Sequence, residues 1–403
     1  MELTRRKFLG GAAIAAAGAV VGRRVRRAGG APAPLKIGLL LPYSNVYAVL
    51  GESITDGLSL VFEREGWSVA GRRVELIKED DEVNPQIGLR KVKKLIESDG
   101  VDFLVGPVSS GVLAAIRDTV HQARRILIVA NAGNDEISRD RCSRYIFRAS
   151  FSNWQPNSPM GSWVAAHVAK EAYLVAPKYA AGFDMMRAFK ETFGAAGGTV
   201  VGEDYTPFPV NEDFAPFLTK IKQAAPKVVY AFFSGSQAVR FVRQYDEFGL
   251  RGRSRLCGAG FLTETDVLPA EGSAALGIIT GHFYSTLLEN RTNQAFLREF
   301  RDKYKRTPDG FAVQGYDTAQ VIVHALTATG GDTRDRDRLV DALRSVEFDS
   351  PRGRFRFDPK TQNVIQPFIY VREVREVGGE LANVVIDRIA NVKDPGTGCT
   401  LPG

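Results

Sequence analysis

The sequence predicts an α/β protein built from two lobes, each with a parallel sheet covered by helices. Of its 403 residues, 44% are hydrophobic and 25% are charged, which is the composition of an ordinary globular protein. Short, almost continuously apolar runs alternate with longer amphipathic segments, as expected for buried parallel strands connected by helices. This rhythm stops near residue 150 and then starts again. Two successive α/β units of similar size predict two lobes.

The first unit alternates apolar runs, predicted to be strands, with amphipathic segments, predicted to be helices. Asn84 followed by Pro85 indicates a helix start, because Asn caps helices and Pro suits their first turn. The predicted strands span 35–41, 74–80, 101–105 and 126–130, and the predicted helices run from about 52 to 65, from 84 through 96, and from 111 to about 123.

The second unit repeats the pattern, and the last third of the chain departs from it. Its predicted strands span 171–176, 199–204, 227–233 and 254–257, and its predicted helices span 155–170, 183–196, 213–224 and 237–248. Three further helices are predicted at about 293–304, 311–328 and 336–346, followed by β-like runs at 353–358, 366–374 and 383–390. Such a segment could return to the first lobe and then cross to the second.

The net charge of +7 belongs mostly to the first 33 residues. These contain seven basic residues and one acid, which leaves 46 basic and 45 acidic residues in the rest of the chain. A nearly neutral body argues against nucleic acid or an anionic membrane surface as a partner.

Residues 1–33 resemble a twin-arginine export signal. Arg5 and Arg6 precede an uncharged run, Gly10–Gly22, whose 13 residues fall short of the ~20 that a membrane-spanning helix needs. Ala31-Pro32-Ala33 offers a cleavage site. An uncleaved anchor or a cytoplasmic basic tail is the alternative. We expect a soluble mature protein in the periplasm.

The three cysteines predict one disulfide. Cys257 ends a predicted buried strand and is expected to be a core thiol. Cys399 lies in a Gly/Pro-rich tail, and a bridge to Cys142 would hold that tail in place. Three free thiols are the alternative to a Cys142–Cys399 bridge.

The loops that follow the predicted strands are the places where a ligand would bind, because open parallel sheets bind ligands at the carboxyl ends of their strands. These loops carry small residues, hydroxyls and aromatic rings, and span 42–47, 107–111, 131–134, 177–179, 234–236 and 258–261. Ser109-Ser110-Gly111 opens a helix, where free backbone amides suit a carboxylate, although an ordinary helix cap would look the same. Tyr47, Tyr179 and Phe261 could form apolar walls or could belong to the core.

The motifs of common enzyme classes are absent from the sequence. It contains no nucleophile elbow, no zinc-protease helix, no phosphate-binding P-loop and no complete dinucleotide fingerprint. The run Asp80-Asp81-Glu82 could hold a cation, but a solvated turn between strand and helix is the favoured interpretation. We expect no metal, no cofactor and no catalytic residues. An exported cofactor enzyme is the less favoured alternative.

Eight segments, in this order, resemble the type I periplasmic solute-binding proteins, in particular the leucine/isoleucine/valine-binding family of ABC transporters. The segments are 36–42 (KIGLLLP), 79–81 with 84–85, 105–111 (VGPVSSG), 145–155 (YIFRASFSNWQ), 179–182 (YAAG), 231–235 (AFFSG), 312–317 (AVQGYD) and 350–359 (SPRGRFRFDP). Together they cover nearly all of residues 35–390.

The resemblance implies two Rossmann-like lobes joined by three hinge crossovers near 150–154, 283–287 and 354–358. It implies a first lobe of 34–152 and 286–355, a second lobe of 153–285 and 356–390, and a C-terminal tail of 391–403. It also implies a monomer without enzyme activity that captures its ligand by lobe closure and docks on a membrane permease. A sensor subunit that hands its closed form to a receptor is the alternative.

The resemblance also implies the ligand-binding residues. In amino-acid-binding members the first lobe holds the carboxylate with the loops that match Ser109–Ser110 and 131–134, and a tyrosine matching Tyr179 completes that site. The implied residues, with those from the loops above, are Tyr47, Ser109, Ser110, Asn131, Ala132, Gly133, Tyr179, Ser234, Gly235, Gly260 and Phe261.

One departure from the family pattern bears on the ligand. The acid that binds the ammonium of an amino acid is replaced here by Gly260, and a buried ammonium without a carboxylate is unfavourable by several kcal/mol. Glu264 or Asp135 could substitute. The segments YAVLGES (47–53), NAGND (131–135) and GAGFL (258–262) resemble the subgroup that carries benzoate-type aromatic acids, in which a cysteine near the C-terminus recurs. An aromatic acid is therefore the expected ligand, with a branched-chain amino acid or a small amide as the alternative.

Overall fold

Two separate sheets organise the chain. The computed structural model describes residues 32–210 and 213–401. The strands are β1 (Leu35–Leu41), β2 (Ser68–Val69), β3 (Arg72–Asp80), β4 (Phe103–Val105), β5 (Ile126–Val129), β6 (Ile146–Arg148), β7 (Glu171–Pro177), β8 (Thr199–Thr206), β9 (Val228–Ala231), β10 (Arg255–Ala259), β11 (Ile279–His282), β12 (Glu347–Ser350), β13 (Gly353–Arg356), β14 (Gln366–Val377) and β15 (Glu380–Val392).

The helices cover the faces of these sheets. They are α1 (Ala48–Arg64), α2 (Pro85–Glu97), α3 (Ser110–Gln122), α4 (Trp154–His167), α5 (Ala180–Ala195), α6 (Ala215–Ala224), α7 (Ser236–Glu247), α8 (Leu268–Glu271), α9 (Arg291–Tyr304), α10 (Gly310–Thr329) and α11 (Arg336–Arg344). The Asn84 side chain caps α2 by accepting hydrogen bonds from the backbone of Gln86 and Ile87, with Pro85 in the first turn, as the sequence predicts.

The first sheet has the strand order β2-β3-β1-β4-β5-β6. All its neighbouring strands are parallel except β2 and β3. Strand β1 lies between β3 and β4. The connection from β1 therefore runs to β3 on one side of it, and the connection from β3 runs back to β4 on its other side. A crevice therefore opens at the carboxyl ends of β1 and β4, where ligands bind in such sheets.

The second sheet has the order β15-β14-β11-β10-β9-β7-β8. It is parallel from β11 to β8, and the long hairpin β14–β15 is added antiparallel to β11. Here β7 lies between β8 and β9, so a second crevice opens at their carboxyl ends. The predicted α/β class with two lobes is confirmed.

The chain passes between the two sheets after β6, after β11 and after β13. Helices α9 to α11 return to the first sheet, where α10 packs along α1. The third passage spans 357–365, later than the predicted 354–358, because residues 353–356 form β13 and pair with β12 in a hairpin. Strand β15 ends at Val392, so the tail begins after that residue rather than at 391.

The elements missed by the sequence analysis are short. Strands β6 and β11 have three and four residues, and β2 and β12 have two and four. Such runs are too short to show a period. They become strands because the neighbouring strand of the sheet supplies hydrogen-bond partners.

The acidic run after β3 is a correction to the predicted solvated turn. Asp81 is fully buried, and its Oδ1 accepts a hydrogen bond from the Val83 backbone at 2.8 Å. Asp80 accepts from the backbone of Tyr43 at 2.9 Å. Burial raises the pKa of Asp81 to about 7. The two carboxyls thus shape the turn, and no group of three metal-ligating side chains occurs in the described ranges.

The tail is linked covalently to the first half of the chain. Cys142 and Cys399 form a disulfide with their Cα atoms 5.6 Å apart, and Cys257 is a buried free thiol.

The twin-arginine prediction concerns residues 1–33, nearly all of which lie outside the described residues. Within the described part, no helix is both long enough and apolar enough to cross a membrane.

Candidate ligand-binding site

The loops at the carboxyl ends of both sheets meet around one cavity. Its lining residues are Tyr47, Leu50, Val108, Ser110, Asn131, Gly133, Phe151, Asn153, Tyr179, Ala181, Met185, Phe232, Ser234, Phe261 and Phe311. The free volume is about 20 Å³, which is room for about one water molecule. A larger ligand enters only when the lobes separate or the lining side chains move.

Most of the residues predicted for the site meet at this cavity. The predicted residues that line it are Tyr47, Ser110, Asn131, Gly133, Tyr179, Ser234 and Phe261. They come from six different loops and both sheets. The predicted residues thus come together at one cavity between the two crevices.

Four predicted residues lie beside the cavity rather than on its wall. Ser109 is the residue before α3 and has extended backbone angles. Ala132 is buried, and its backbone N–H donates to the carbonyl of Pro107. Gly235 faces the other lobe, and Gly260 packs against the imidazole of His282. Each adjoins a lining residue or an element that contributes one.

The residues that the sequence analysis missed are mostly apolar. They are Leu50, Val108, Phe151, Asn153, Ala181, Met185, Phe232 and Phe311. Helical spacing offered a signal for Met185, which follows Ala181 by four residues on α5. Phe232 precedes Ser234 by two residues on an extended segment, so both project to one side. Nothing in the sequence connects Phe311 with these loops, because it comes from the other end of the chain.

Three helices direct their N-termini toward the cavity. Ser110 begins α3, Ala181 lies in the first turn of α5, and Ser234 comes two residues before α7. None of the three helices has a side-chain cap. The first N–H groups of a helix lack partners within it and carry partial positive charge, so they suit an anion.

Among the residues that the structure describes, no charged side chain lines the cavity. Its polar groups are hydroxyls and amides. Asn131 donates from Nδ2 to Oε1 of Gln314 at 2.7 Å, and Oδ1 of Asn153 is buried without a hydrogen-bond partner. The site therefore offers donors with positive helix ends and one free acceptor, but no carboxylate.

Glu264 and Asp135, which could have replaced the missing ammonium-binding acid, form ion pairs with arginines instead. Glu264 is fully buried and lies 3.2 Å from Arg372. Burial opposes its ionisation, but Arg372 and His282 together hold its pKa below the ordinary value. Asp135 lies 3.0 Å from Arg187 and accepts a hydrogen bond from the Trp154 backbone. Burial raises its pKa to about 7. Neither lines the cavity.

Aromatic rings form much of the wall. Phe261 is at the centre, with ring centroids 5.1 Å from Phe151, 5.8 Å from Phe311 and 6.1 Å from Phe232. Tyr47 of the first lobe and Tyr179 of the second share a hydrogen bond, with their Oη atoms 3.0 Å apart. Planar rings favour offset or edge contacts at such separations, so this wall suits a flat apolar group.

Comparisons with known proteins agree with the fold. The family model described as "Periplasmic binding protein" matches residues 34–379. The Leu/Ile/Val-binding protein homolog 6 of Brucella melitensis is 30% identical over 368 residues, which is 90% of this chain and 93% of the relative.

Two solved structures are similar along their whole length. One is a solute-binding protein of an ABC transporter from R. palustris in complex with benzoate, at 40% identity and a TM-score of 0.86, covering 91% of this chain and 100% of that one. The other comes from Rhodopseudomonas palustris BisB5 in complex with 3,4-dihydroxybenzoic acid, at 34% identity and a TM-score of 0.86, covering 90% of this chain and 99% of that one.

The predicted resemblance is confirmed. The chain belongs to the periplasmic binding protein family, and it is the periplasmic solute-binding component of an ABC transporter and not an enzyme.

Proposed function

We propose that this protein captures an aromatic acid of the benzoate or 4-hydroxybenzoate type by closure of its lobes and delivers it to a membrane permease. The observation that carries the proposal is the charge of the cavity wall. Three uncapped helix N-termini face the cavity, and no carboxylate lines it. This arrangement favours an anion and disfavours a zwitterion, whose ammonium would have no partner.

The proposal assigns a role to each side of the cavity. The carboxylate binds the amides and hydroxyls of Ser109 and Ser110 together with the loop of Asn131, Ala132 and Gly133, and Tyr179 completes its contacts. The ring lies against Phe261 and Tyr47, beside the loops of Ser234, Gly235 and Gly260. Micromolar affinity requires about −8 kcal/mol in total, which several charge-assisted hydrogen bonds and one buried ring can supply.

The similar solved structures support this choice. The R. palustris protein holds benzoate, and the BisB5 protein holds 3,4-dihydroxybenzoic acid. The second candidate is a branched-chain amino acid, because the Brucella relative is named for leucine, isoleucine and valine. The absence of a carboxylate from the cavity wall favours the first candidate.

A thermal-shift panel separates the two candidates. We expect benzoate and 4-hydroxybenzoate to raise the Tm, and leucine and valine to leave it unchanged. Benzamide is the matched control, since it keeps the ring and loses the negative charge, and it should stabilise less than benzoate. Stabilisation by leucine or valine without any by the aromatic acids would overturn the proposal.

The export route and the lobe boundaries belong to the proposal as well. Residues 1–33 act as a twin-arginine signal, and the lobes comprise 34–152 with 286–356 and 153–285 with 366–392, with the third passage, 357–365, between them. The mature protein acts as a monomer without nucleic acid, metal or cofactor.

A further inference from the structure

An aromatic residue outside the cavity wall stacks on one of its members. The ring of Phe208 is parallel to that of Tyr179, with centroids 4.0 Å apart and planes within 5°. Its centroid is also 5.8 Å from that of Tyr47. Phe208 is half-buried and does not line the cavity, so Tyr179 separates it from the space where a ligand would bind. We call Tyr47, Tyr179 and Phe208 the aromatic latch.

The aromatic latch crosses the cleft. Tyr47 precedes α1, which packs in the first lobe, whereas Tyr179 and Phe208 follow β7 and β8 of the second sheet. The Tyr47–Tyr179 hydrogen bond and the Tyr47–Phe208 contact therefore exist only when the lobes meet. The Tyr179–Phe208 stack lies within one lobe and persists when they part.

A hydrogen bond from α7 anchors the segment that carries Phe208. The carbonyl of Pro209 accepts a hydrogen bond from Nε2 of Gln237 at 3.0 Å, and Gln237 is fully buried in α7. Two residues before it, Gly235 approaches the carbonyl of Val46 in the first lobe. The same part of the second lobe thus anchors Phe208 and makes a close backbone contact across the cleft.

We infer that Phe208 is a positioning residue that controls how long the ligand stays bound. Its ring stacks on Tyr179, which also lies near Phe232 with ring centroids 6.3 Å apart, and this support keeps the Tyr179 hydroxyl directed at Tyr47. A bound ligand leaves only after the aromatic latch separates. Association starts from separated lobes, where Tyr47 makes no latch contact, so Phe208 acts on release and not on capture.

The inference rests on the proposed function, and benzoate is the probe. Stopped-flow binding is measured for wild type, F208A, F208W and F208L. We expect F208A to release benzoate about 2- to 10-fold faster, the factor that corresponds to one lost aromatic pair, with an association rate no lower than that of the wild type. F208W should restore slow release because it keeps a stacking ring, and F208L should not.

The matched control is F368A. Phe368 is also half-buried and lies near a tyrosine, with its centroid 5.7 Å from that of Tyr370 on β14, in the antiparallel extension of the second sheet. F368A should release benzoate at the wild-type rate. Wild-type release from F208A, or equal acceleration in F368A, would overturn the inference.

A ligand-independent measurement separates this inference from the proposed function. If the wild type binds no aromatic acid, the proposed function fails, and spin labels at Glu97 on α2 and Glu247 on α7, both exposed, then test Phe208 alone. A longer mean distance between labels in ligand-free F208A than in wild type and F368A supports the latch. Identical distance distributions in all three contradict it.

Discussion

Gly235 is a residue at which the second lobe packs closely against the backbone of the first. Its φ is +56°, and a Cβ placed on it would lie 2.3 Å from the carbonyl oxygen of Val46 in the first lobe. The sequence suggested Gly235 as a ligand contact, but only the folded chain brings Val46 against it. A side chain at this position would hold the lobes apart.

We therefore predict that G235A weakens ligand binding about 5- to 150-fold, because a clash of about 1–3 kcal/mol arises only in the closed form. Isothermal titration with benzoate measures the effect. The control is G249A, since Gly249 has a similar φ of +67° with nothing within 4 Å of the added Cβ. Both variants share the backbone strain, so equal affinities in G235A and G249A would contradict the prediction.

The sequence could not show whether the carboxylate of Glu264 or of Asp135 lies at the binding site. Either could have replaced the missing acid at Gly260. The choice depends on Arg372, which lies 108 residues after Glu264 in the chain and reaches it through the pairing of β14 with β11. Ion pairs between distant segments leave no pattern in a sequence, so only the structure could remove these acids from the site.

At the level of elements, helices α1 and α10 cross at two glycines. A Cβ on Gly57 would lie 1.9 Å from the carbonyl oxygen of Ala312, and one on Gly315 would lie 2.0 Å from that of Ile54. The contacts are reciprocal, so a side chain at either glycine would meet the backbone of the opposite helix and push the two helices apart. This crossing attaches the returning helices of the last third to the first lobe.

We predict that G315A lowers the free energy of unfolding by about 1–3 kcal/mol, because the methyl group meets rigid backbone. Urea denaturation measures the change. G194A is the control, since Gly194 lies in α5 with nothing within 4 Å of an added Cβ, and alanine there should stabilise by up to about 1 kcal/mol. The prediction fails if the two substitutions change stability in the same direction by similar amounts.

The elements themselves were predictable to the extent that they were long and periodic. The long helices and β1 lie within a few residues of their predicted ranges, because amphipathic and apolar runs of that length are distinctive. Strand β6 was missed because it has only three residues. The hairpin β14–β15 extends beyond the predicted runs, since backbone pairing continues through polar residues toward the turn.

At the level of the whole molecule, the chain crosses between the lobes at adjacent positions. Gln155, at the start of α4, donates from Nε2 to the carbonyls of Val364 and Val392 at 2.9 and 2.8 Å. One buried side chain thus connects the first passage, the third passage and the start of the tail. The tail then reaches Cys142 beside the first sheet and is held there by the disulfide.

We predict that the double variant C142S/C399S unfolds at a lower urea concentration, with a loss of about 2–4 kcal/mol, because the disulfide restricts the unfolded chain. The cross-link joins residues 257 apart in sequence. Reductant should shift the wild type toward the variant and leave the variant unchanged. A variant as stable as the oxidised wild type would show that the disulfide contributes nothing to stability.

The sequence by itself determined the α/β class, the two lobes, the family and the loops that face the cleft, because these follow from local periodicity and from short motifs in a conserved order along this chain. The tertiary structure alone decided which side chains of those loops line the cavity, which acids are neutralised by distant arginines, and that Phe311 joins the aromatic wall of the cavity while Phe208 stacks on Tyr179. Those properties arise from contacts between segments far apart in the chain, and burial and pairing depend on such contacts rather than on neighbouring residues.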